Sequence, residues 1–252
     1  MIKPIQLPDG ARRLAFVSDL HLFSSRSNAT EHHELIRRTI GESDVCVWGG
    51  DLFDFRWSRL NGDQATIEHA LRWLDDWYQQ FPGVSFVFLD GNHDAHTSFT
   101  AQLAAWSDNR DRFRCGLDCI RIEDTLLLHG DVIEGGGSPD AFADYRDRWS
   151  DRPPAGRMAS GVYDLAIATR VHRAAAVAVH RRRSTCLRLM RWLHQQPAES
   201  TAGVRRIVFG HTHRLIDGYR VQGMEFHNGG AAIRHVPFCP VKLKIQQLGD
   251  AG

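Results

Sequence analysis

The sequence predicts a layered α/β fold in which short buried strands alternate with amphipathic helices before a strand-rich segment closes the chain. Three observations support this. Apolar runs of four to six residues recur along the chain, and polar residues follow each of them. Between several of these runs, apolar residues are spaced as on one face of a helix. Residues 216–245 alternate and contain turn signals, which is typical of meandering strands.

The first half of the chain is predicted to contain three strands and two helices. Strands are predicted at residues 14–18, 45–48 and 84–89, where apolar runs are bounded by turn residues. Helices are predicted at 30–42 and around 67–78, where apolar residues recur every three or four positions. Each strand is followed by a polar cluster: Asp19-Leu20-His21, Asp51-Leu52-Phe53-Asp54 and Asn92-His93-Asp94.

Two further strands are predicted in the second half of the chain, separated by a segment of different character. The strand at 125–128 precedes His129, and the strand at 206–209 precedes His211-Thr212-His213. Between them, a glycine-rich stretch leads to a segment that is mainly helical after residue 160. We therefore predict a sheet domain formed by residues 1–134 and 197–252, into which residues 135–196 are inserted as an Arg-rich helical cap.

Charge is divided unevenly along a chain whose formal net charge is only +1. Of the 31 basic residues, 28 are arginine. Residues 141–196 contain 11 arginines and four aspartates, a net charge of +7, which leaves −6 for the rest of the chain. The near-neutral total argues against a nucleic-acid ligand, whereas the basic segment predicts contact with a smaller anionic partner.

Composition excludes several classes of protein. No apolar run reaches the roughly 18 residues needed to span a bilayer. The first residues lack the apolar segment of a secretory signal, so we expect a cytoplasmic protein. The five cysteines are odd in number and scattered, so we expect isolated reduced thiols rather than a disulfide framework.

The polar clusters that follow the strands predict a metal site. In open α/β sheets, ligands bind beyond the carboxyl ends of the strands, so five such ends can converge. Their carboxylate, imidazole and amide groups suit manganese, iron, zinc or magnesium. Asp51 could bridge two ions, because a carboxylate has two oxygens. Two ions about 3.5–4 Å apart can hold both the attacking and the leaving oxygen of a displacement at phosphorus, and they activate water as the nucleophile.

The five clusters, in this order, resemble the motif set of the calcineurin-like metallophosphoesterases. The motifs are D-x-H, G-D-x-x-D, G-N-H-D, a single histidine and G-H-x-H, and they extend from Asp19 to His213. The resemblance implies a four-layer αββα sandwich with an inserted helical cap. It also implies hydrolysis of a phosphate ester or pyrophosphate by a metal-bound hydroxide.

The resemblance assigns a role to each motif residue. One ion would be held by Asp19, His21, Asp51 and His213, and the other by Asp51, Asn92, His129 and His211. Manganese is the expected metal, with iron, zinc and magnesium as alternatives. Asn92, His93 and Asp94 would be catalytic, with His93 contacting the phosphoryl group and Asp94 orienting His93 through a hydrogen bond. Asp54 would support the site from behind, and the turn at Asn228 would lie beside it.

The inserted cap is the candidate for substrate recognition. Its arginines could bind phosphate, and Arg146, Arg157, Arg170 and Arg173 are the candidate residues. In length and in the position of the cap, the chain resembles the UDP-2,3-diacylglucosamine pyrophosphatases of lipid A biosynthesis. That resemblance implies a lipid-linked nucleotide sugar as substrate. An amphipathic cap could also contact the inner face of the membrane peripherally.

Other functions are compatible with the same motifs. The chain could be a phosphodiesterase, a nuclease or a phosphomonoesterase with a different substrate, and the cap arginines could simply solvate a helical surface. A non-catalytic binding module on the same fold is the alternative from another class, but every expected ligand is present. The sequence makes no prediction of the oligomeric state.

Overall fold

Two β-sheets form the centre of the molecule in a computed structural model that describes residues 2–134, 138–150 and 180–245. The strands are β1 (Ile2–Pro4), β2 (Arg13–Val17), β3 (Val45–Trp48), β4 (Ser85–Leu89), β5 (Phe113–Leu117), β6 (Cys119–Ile122), β7 (Thr125–Leu128), β8 (Arg206–Phe209), β9 (Ile216–Val221), β10 (Met224–Asn228) and β11 (Val241–Lys244). One sheet has the order β11-β2-β3-β4-β5, and the other has the order β1-β6-β7-β8-β10-β9. Both contain mainly parallel neighbours around β3 and β8.

Helices cover the outer faces of the two sheets. Within the described ranges they are α1 (His33–Gly41), α2 (Asp63–Gln80), α3 (Thr97–Ser107), α4 (Pro139–Ser150), α5 (Arg182–His194) and α6 (Ala198–Thr201). Short 3-10 turns occur at Ala29–His32 and Asp131–Ile133. No helix in these ranges is long and apolar enough to cross a membrane.

The alternation of side chains along the strands builds the layers. Phe16, Val47 and Val87 on one sheet pack against residues such as Leu127 and Val208 on the other, which forms the core between the sheets. Their neighbours along each strand point to the opposite face, because successive side chains of a strand alternate. The sandwich therefore has apolar surface on both faces of each sheet, and it needs a helical layer on either side.

The two outer cores complete an αββα sandwich. Trp48 and Phe88 pack with Leu74 of α2 and Phe99 of α3 on one side. On the other side, Phe209 and Phe226 lie in one buried cluster with residues of α5. The α/β class and the four-layer architecture expected from the sequence are thus confirmed.

Helix α5 lies within the predicted cap, yet it forms the outer helical layer of the second sheet. Cys186, Leu189 and Leu193 are buried in the same cluster as the β8 side chains. The helix begins at Arg182. Residues 151–179 lie outside the described residues, so the insertion at 135–196 stays a prediction.

Most predicted strands occur where the sequence placed them, but several elements were not predicted, among them β1, β5, β6, α3 and α6. The strands at 45–48, 125–128 and 206–209 have the expected bounds. Strand β5 escaped prediction because Arg114 and Gly116 interrupt its apolar pattern. Helix α3 escaped because only Phe99 and Leu103 are buried, which leaves little amphipathic signal. Strand β6 was also missed. All five cysteines are free thiols.

Candidate metal centre

The carboxyl ends of strands from both sheets meet at one place. Strands β2, β3 and β4 lead to Asp19, Asp51 and Asn92, whereas β7 and β8 lead to His129 and His211. Backbone hydrogen bonds join the loops: the Asp19 N–H donates to the Gly50 carbonyl at 3.0 Å, and the Gly210 N–H donates to the His129 carbonyl at 2.7 Å. The position of each predicted ligand is therefore fixed by the ends of the strands.

Two clusters of candidate ligands share one carboxylate. Asp19, His21, Asp51 and His213 form the first cluster, and Asp51, His129 and His211 form the second, with the donor atoms in each lying within 4.8 Å of one another. The Nε2 atoms of His21 and His213 are 3.1 Å apart. The structure thus brings together the carboxylates and histidines that the sequence assigned to each ion, and Asp51 belongs to both groups.

Two polar atoms at the second cluster are buried without a hydrogen-bond partner. They are Oδ1 of Asn92 and Nε2 of His129, and the latter lies 3.3 Å from Asp51 Oδ1 without a hydrogen bond of good geometry. Nδ1 of His129 lies 3.0 Å from the Gly49 carbonyl, which can only accept, so Nδ1 carries a proton and holds the ring in place. An unsatisfied buried polar atom costs about 1–3 kcal/mol. A divalent cation at this position would satisfy both atoms, so the residues fit the group that the motifs imply.

Electrostatics at the site also favour cations. Asp19 and Asp51 are both buried, and burial opposes their ionisation, but the facing histidines hold the pKa of each carboxyl below its usual range. Burial would lower the pKa of His129, but the adjacent Asp51 carboxylate raises it to about 10. A bound cation would replace that proton as the positive partner of Asp51.

Five of the predicted ligands adopt a left-handed backbone conformation. The φ angles are 56° at Asp19, 46° at His21, 54° at Asp51, 63° at His211 and 52° at His213. Few non-glycine residues have positive φ, and such conformations cost on the order of 1–3 kcal/mol each. Strain of this kind concentrates at functional sites, where the surrounding structure enforces it.

Glycines allow the loops to approach the shared carboxylates. A Cβ atom at Gly91 would overlap the Asp51 carboxylate, and one at Gly210 would overlap the Asp19 carboxylate. Any larger residue at these positions would displace a predicted ligand. The glycines of the G-N-H-D and G-H-x-H motifs are therefore required by packing at the site.

Asp54, rather than Asp94, is the carboxylate that contacts His93. Nδ1 of His93 lies 3.0 Å from Oδ1 of Asp54. The expected hydrogen bond from Asp94 to His93 is thus wrong, because the Asp94 carboxylate accepts the N–H groups of Gly91 and Leu52 at 2.7 and 2.8 Å. Asp94 instead ties two loops of the site together. Burial, assisted by the Asp51 charge, raises the pKa of Asp94 to about 7.

Arg26 is a functional candidate that the sequence did not indicate. Arg26 is only 7% exposed. Its Nη2 lies 2.7 Å from His21 Nδ1 and 2.9 Å from Asp54 Oδ2. The same atom is 3.4 Å from Nε2 of His93. Arg26 therefore joins a predicted ligand to the Asp54–His93 pair. It lies in an irregular loop, and only its spacing five residues after His21 could have drawn attention to it.

Helix α4 lies against the site. The ring centroid of Trp149 is 4.7 Å from that of His93, and the ring centroid of Tyr145 is 6.4 Å from that of His211. Arg146, predicted to bind substrate, donates from Nη2 to Asp131 Oδ1 at 3.0 Å, and its Nη1 is 3.6 Å from Asp118. Its guanidinium thus anchors α4. The other predicted substrate arginines, at 157, 170 and 173, lie outside the described residues.

Two further groups support the loop that carries His211 and His213. Glu134 Oε1 lies 2.9 Å from Nε2 of His211, a contact that the sequence did not predict. Asn228, which was expected beside the site, donates from Nδ2 to the Gly210 carbonyl at 2.7 Å. Its amide therefore holds the G-H-x-H loop from behind.

With this geometry established, comparison with known families defines the class of protein. A family model described as calcineurin-like phosphoesterase matches residues 12–215, so the chain belongs to that family. It is therefore a metal-dependent phosphoesterase, and the family implies two divalent metal ions.

Comparisons with individual proteins are less informative. A solved structure described as a dimetal phosphatase from Danio rerio is similar over 95% of this chain and 94% of that chain, with a TM-score of 0.45 and 11% sequence identity. A comparison with the sequences of curated proteins finds no match.

Proposed function

We propose that the chain hydrolyses a phosphorus–oxygen bond of a phosphate ester or pyrophosphate at the two clusters that share Asp51. The observation that supports this is the shared carboxylate, together with the unpartnered Asn92 and His129 atoms in the second cluster. When bound, two divalent ions supply an activated water and neutralise charge on the phosphoryl oxygens. The chain's part is to hold those ions and to place the substrate between them.

The proposed ligands follow the two clusters. One ion would be held by Asp19, His21, Asp51 and His213, and the other by Asp51, Asn92, His129 and His211. Their oxygen and nitrogen donors are compatible with manganese, which we propose as the native metal. Iron, zinc and magnesium share these ligand preferences in part, so elemental analysis of the purified protein decides among them.

His93 is the proposed proton donor to the leaving oxygen. The Asp54 carboxylate beside Nδ1 fixes the orientation of the ring, so that Nε2 is the atom available to the substrate. Arg26 approaches Nε2 of His93 and adds positive charge at the same place. A developing negative charge on the leaving oxygen would be stabilised by both groups.

For the substrate, we propose a lipid-linked nucleotide sugar resembling UDP-2,3-diacylglucosamine, cleaved at its pyrophosphate as in lipid A biosynthesis. Tyr145 and Trp149 offer apolar surface next to His211 and His93, which suits a substrate with both apolar and phosphate groups. Such a role would place the protein in the cytoplasm, with the cap touching the inner face of the membrane. A phosphodiesterase, a nuclease or a phosphomonoesterase would use the same ligands.

Substitution of the shared carboxylate tests the proposed chemistry. We expect Asp51→Asn to lower turnover of bis-p-nitrophenyl phosphate at saturating Mn²⁺ by at least about a hundredfold, and to lower the bound metal measured by elemental analysis. Asp9→Asn, which removes the same charge from an exposed position, is the matched control. Near wild-type turnover in Asp51→Asn would refute the proposed centre.

A substrate panel identifies the bond that is cleaved. With Mn²⁺ present, turnover of UDP-2,3-diacylglucosamine, UDP-glucose, cyclic nucleotides, phosphomonoesters and single-stranded DNA would be compared. We expect kcat/KM to be highest for the lipid-linked nucleotide sugar. A phosphomonoester or DNA as the best substrate would replace this proposal with the corresponding alternative while leaving the metal chemistry in place.

A further inference from the structure

We propose that Glu134 is a positioning residue for the second ion, because its carboxylate holds the ring of His211 so that Nδ1, and not Nε2, is presented to the metal. Glu134 lies outside both clusters of candidate ligands, and its Oε1 is 2.9 Å from Nε2 of His211. It therefore acts on the ion only through His211. The inference rests on the proposed function, and it adds a residue that none of the five motifs contains.

Hydrogen bonding decides which nitrogen of His211 is free. A carboxylate only accepts hydrogen bonds, so Nε2 of His211 carries the proton that faces Glu134. In a neutral imidazole the other nitrogen, Nδ1, then has a lone pair for a cation. His129 has the opposite arrangement, because its Nδ1 donates to the Gly49 carbonyl and leaves Nε2 for the ion. The two histidines of the second cluster thus present different ring atoms, and a neighbouring acceptor orients each of them.

Glu134 is itself held in place by a short segment that begins at the other histidine of this cluster. The 3-10 turn Asp131–Ile133 starts two residues after His129, and its three residues are buried. The Glu134 N–H donates to the Asp131 carbonyl at 2.9 Å, and the Asp131 carboxylate accepts from Arg146 of α4. This segment therefore supplies one ligand of the second ion and the group that orients another.

The effect of Glu134 is expected to fall on one ion of the pair. A hydrogen bond from the distal N–H of a ligating histidine to a carboxylate raises the basicity of the ligating nitrogen, and loss of such a partner typically lowers metal affinity by about 10- to 100-fold. Glu134 makes this contact with His211, which belongs to the second cluster and not to the first. The first ion should therefore bind as before when the contact is removed.

Manganese titrations of the full chain, after removal of metal with EDTA, can test this inference. Calorimetry would give the affinity of each ion, and EPR would distinguish two Mn²⁺ ions coupled through a shared carboxylate from a single ion. The variants are Glu134→Leu, which removes the acceptor, and Glu134→Gln, which keeps an oxygen acceptor at the same side-chain length.

Glu225→Leu is the matched control. Glu225 Oε1 lies 2.9 Å from Nε2 of His227, the same kind of contact at the same distance. The side chains of Glu134 and Glu225 are 28% and 21% exposed. Glu225 lies opposite Arg206, at the start of β8, whereas the ligands follow the end of that strand.

We expect Glu134→Leu to weaken binding of the second Mn²⁺ by about 10- to 100-fold, while the first ion binds as in wild type. With two equivalents of Mn²⁺, its EPR spectrum should show mainly single ions. Glu134→Gln should recover most of the affinity and the coupled spectrum, because Nε2 of His211 again has an acceptor. Glu225→Leu should bind both ions as wild type does.

Four results would overturn the inference. They are unchanged binding of both ions by Glu134→Leu, equal weakening of both ions in that variant, the same selective loss in Glu225→Leu, and a loss in Glu134→Gln as large as in Glu134→Leu. The last result would show that Glu134 acts as a charged ligand and not as a hydrogen-bond acceptor. A wild-type protein that binds fewer than two Mn²⁺ ions per chain would instead contradict the proposed function.

Discussion

His93 lies outside the two clusters that share Asp51, and its ring nitrogens lie 3.0 Å from Asp54 Oδ1 and 3.4 Å from Arg26 Nη2. We expect His93→Ala to lower kcat by about 10²–10⁴-fold, the usual contribution of a general acid, while the metal content stays near wild type. Kinetics combined with elemental analysis would measure this. Loss of bound metal in His93→Ala would show that the side chain is a ligand instead.

The orientation of His93 is expected to depend on Asp54 and not on Asp94. Asp54→Asn should lower kcat and alter the alkaline limb of the pH–rate profile, because the carboxylate that orients the proton-donating ring is lost. Asp94→Asn should mainly lower stability, since Asp94 accepts backbone N–H groups of two loops. A larger effect of Asp94→Asn than of Asp54→Asn on the pH profile would show that Asp94 orients His93, as the sequence predicted.

At the scale of single residues, motif spacing predicted the seven proposed ligands because each one follows a strand directly or nearly so. Arg26 and Glu134 could not be predicted in this way. They reach the site from an irregular loop and from the end of a 3-10 turn. The direction of their side chains depends on how the whole sandwich packs. The sequence assigned the contact with His93 to Asp94, whereas the structure gives it to Asp54. Both carboxylates follow strands within the motifs, so spacing alone does not tell which one reaches the ring.

At the scale of elements, helix α4 depends on the ion pair between Arg146 and Asp131. Removing one partner of a buried pair costs about 3–5 kcal/mol because the other charge is left uncompensated. We expect Arg146→Met to lower the free energy of unfolding in urea by an amount near that range. Arg146→Met/Asp131→Asn should recover part of the loss, since no charge is then left unpaired.

Activity of the double variant separates the two roles of Arg146. If Arg146 only anchors α4, the recovery of stability should bring recovery of kcat/KM with it. A stable double variant with kcat/KM as low as that of Arg146→Met would support the substrate-binding role predicted from the sequence. Urea unfolding and steady-state kinetics on the same preparations provide both readouts.

Asp44 links the beginnings of β2 and β3 and provides a pH-dependent test. Its carboxylate accepts the N–H groups of Arg12 and Arg13 at 2.8 Å each, and the Arg13 side chain holds its pKa down at about 2. Because the folded-state pKa is lowered, the stabilisation exists above the ordinary pKa near 4 and disappears as the pH falls towards 2.

We expect Asp44→Asn to lower the free energy of unfolding at pH 7 by about 1 kcal/mol, a modest value because the pair is partly exposed. The difference from wild type should shrink between pH 4 and pH 2. Urea titrations across this range would measure it, with Asp111→Asn as an exposed control. A difference that does not depend on pH would exclude the carboxylate charge as its cause.

Periodicity predicted elements well where burial is complete on one face. Every residue of β3 and β7 is buried, as is every residue of β8 except Arg206, and the bounds of the three strands match the prediction. Helix α5 has a clear apolar face, but its sequence could not tell which surface that face covers. The apolar face packs on the second sheet, and this contact is formed only in three dimensions.

At the scale of the whole molecule, two divalent ions would change both charge and stability. A ligand that binds only the folded state stabilises it by RT ln(1 + [L]/Kd), which is about 2.7 kcal/mol at 100 times Kd. We expect removal of metal with EDTA to lower Tm by several degrees and Mn²⁺ to restore it. The Tm of Asp51→Asn should rise much less when Mn²⁺ is added. An equal rise in that variant would show that Mn²⁺ binds at another place.

The uneven charge of the chain also has meaning at this scale. The acidic part of the sequence contributes the buried carboxylates of the candidate metal centre, and the described part of the basic segment contributes the arginines that line a cavity beside α5, which are Arg181, Arg183, Arg188 and Arg191. The sandwich places these opposite charges next to each other, although they are far apart along the chain. The net charge of +1 therefore conceals a local division between buried carboxylates and a group of arginines.

The left-handed conformations of Asp19, His21, Asp51, His211 and His213 imply that catalysis and robustness oppose each other in this molecule. Glycine at any of these positions would relax the backbone, and at the aspartates it would also remove a buried charge. Selection for a higher free energy of unfolding alone would thus favour replacing the proposed metal ligands at these positions. Relief of backbone strain at these five positions would therefore come with the loss of a proposed ligand.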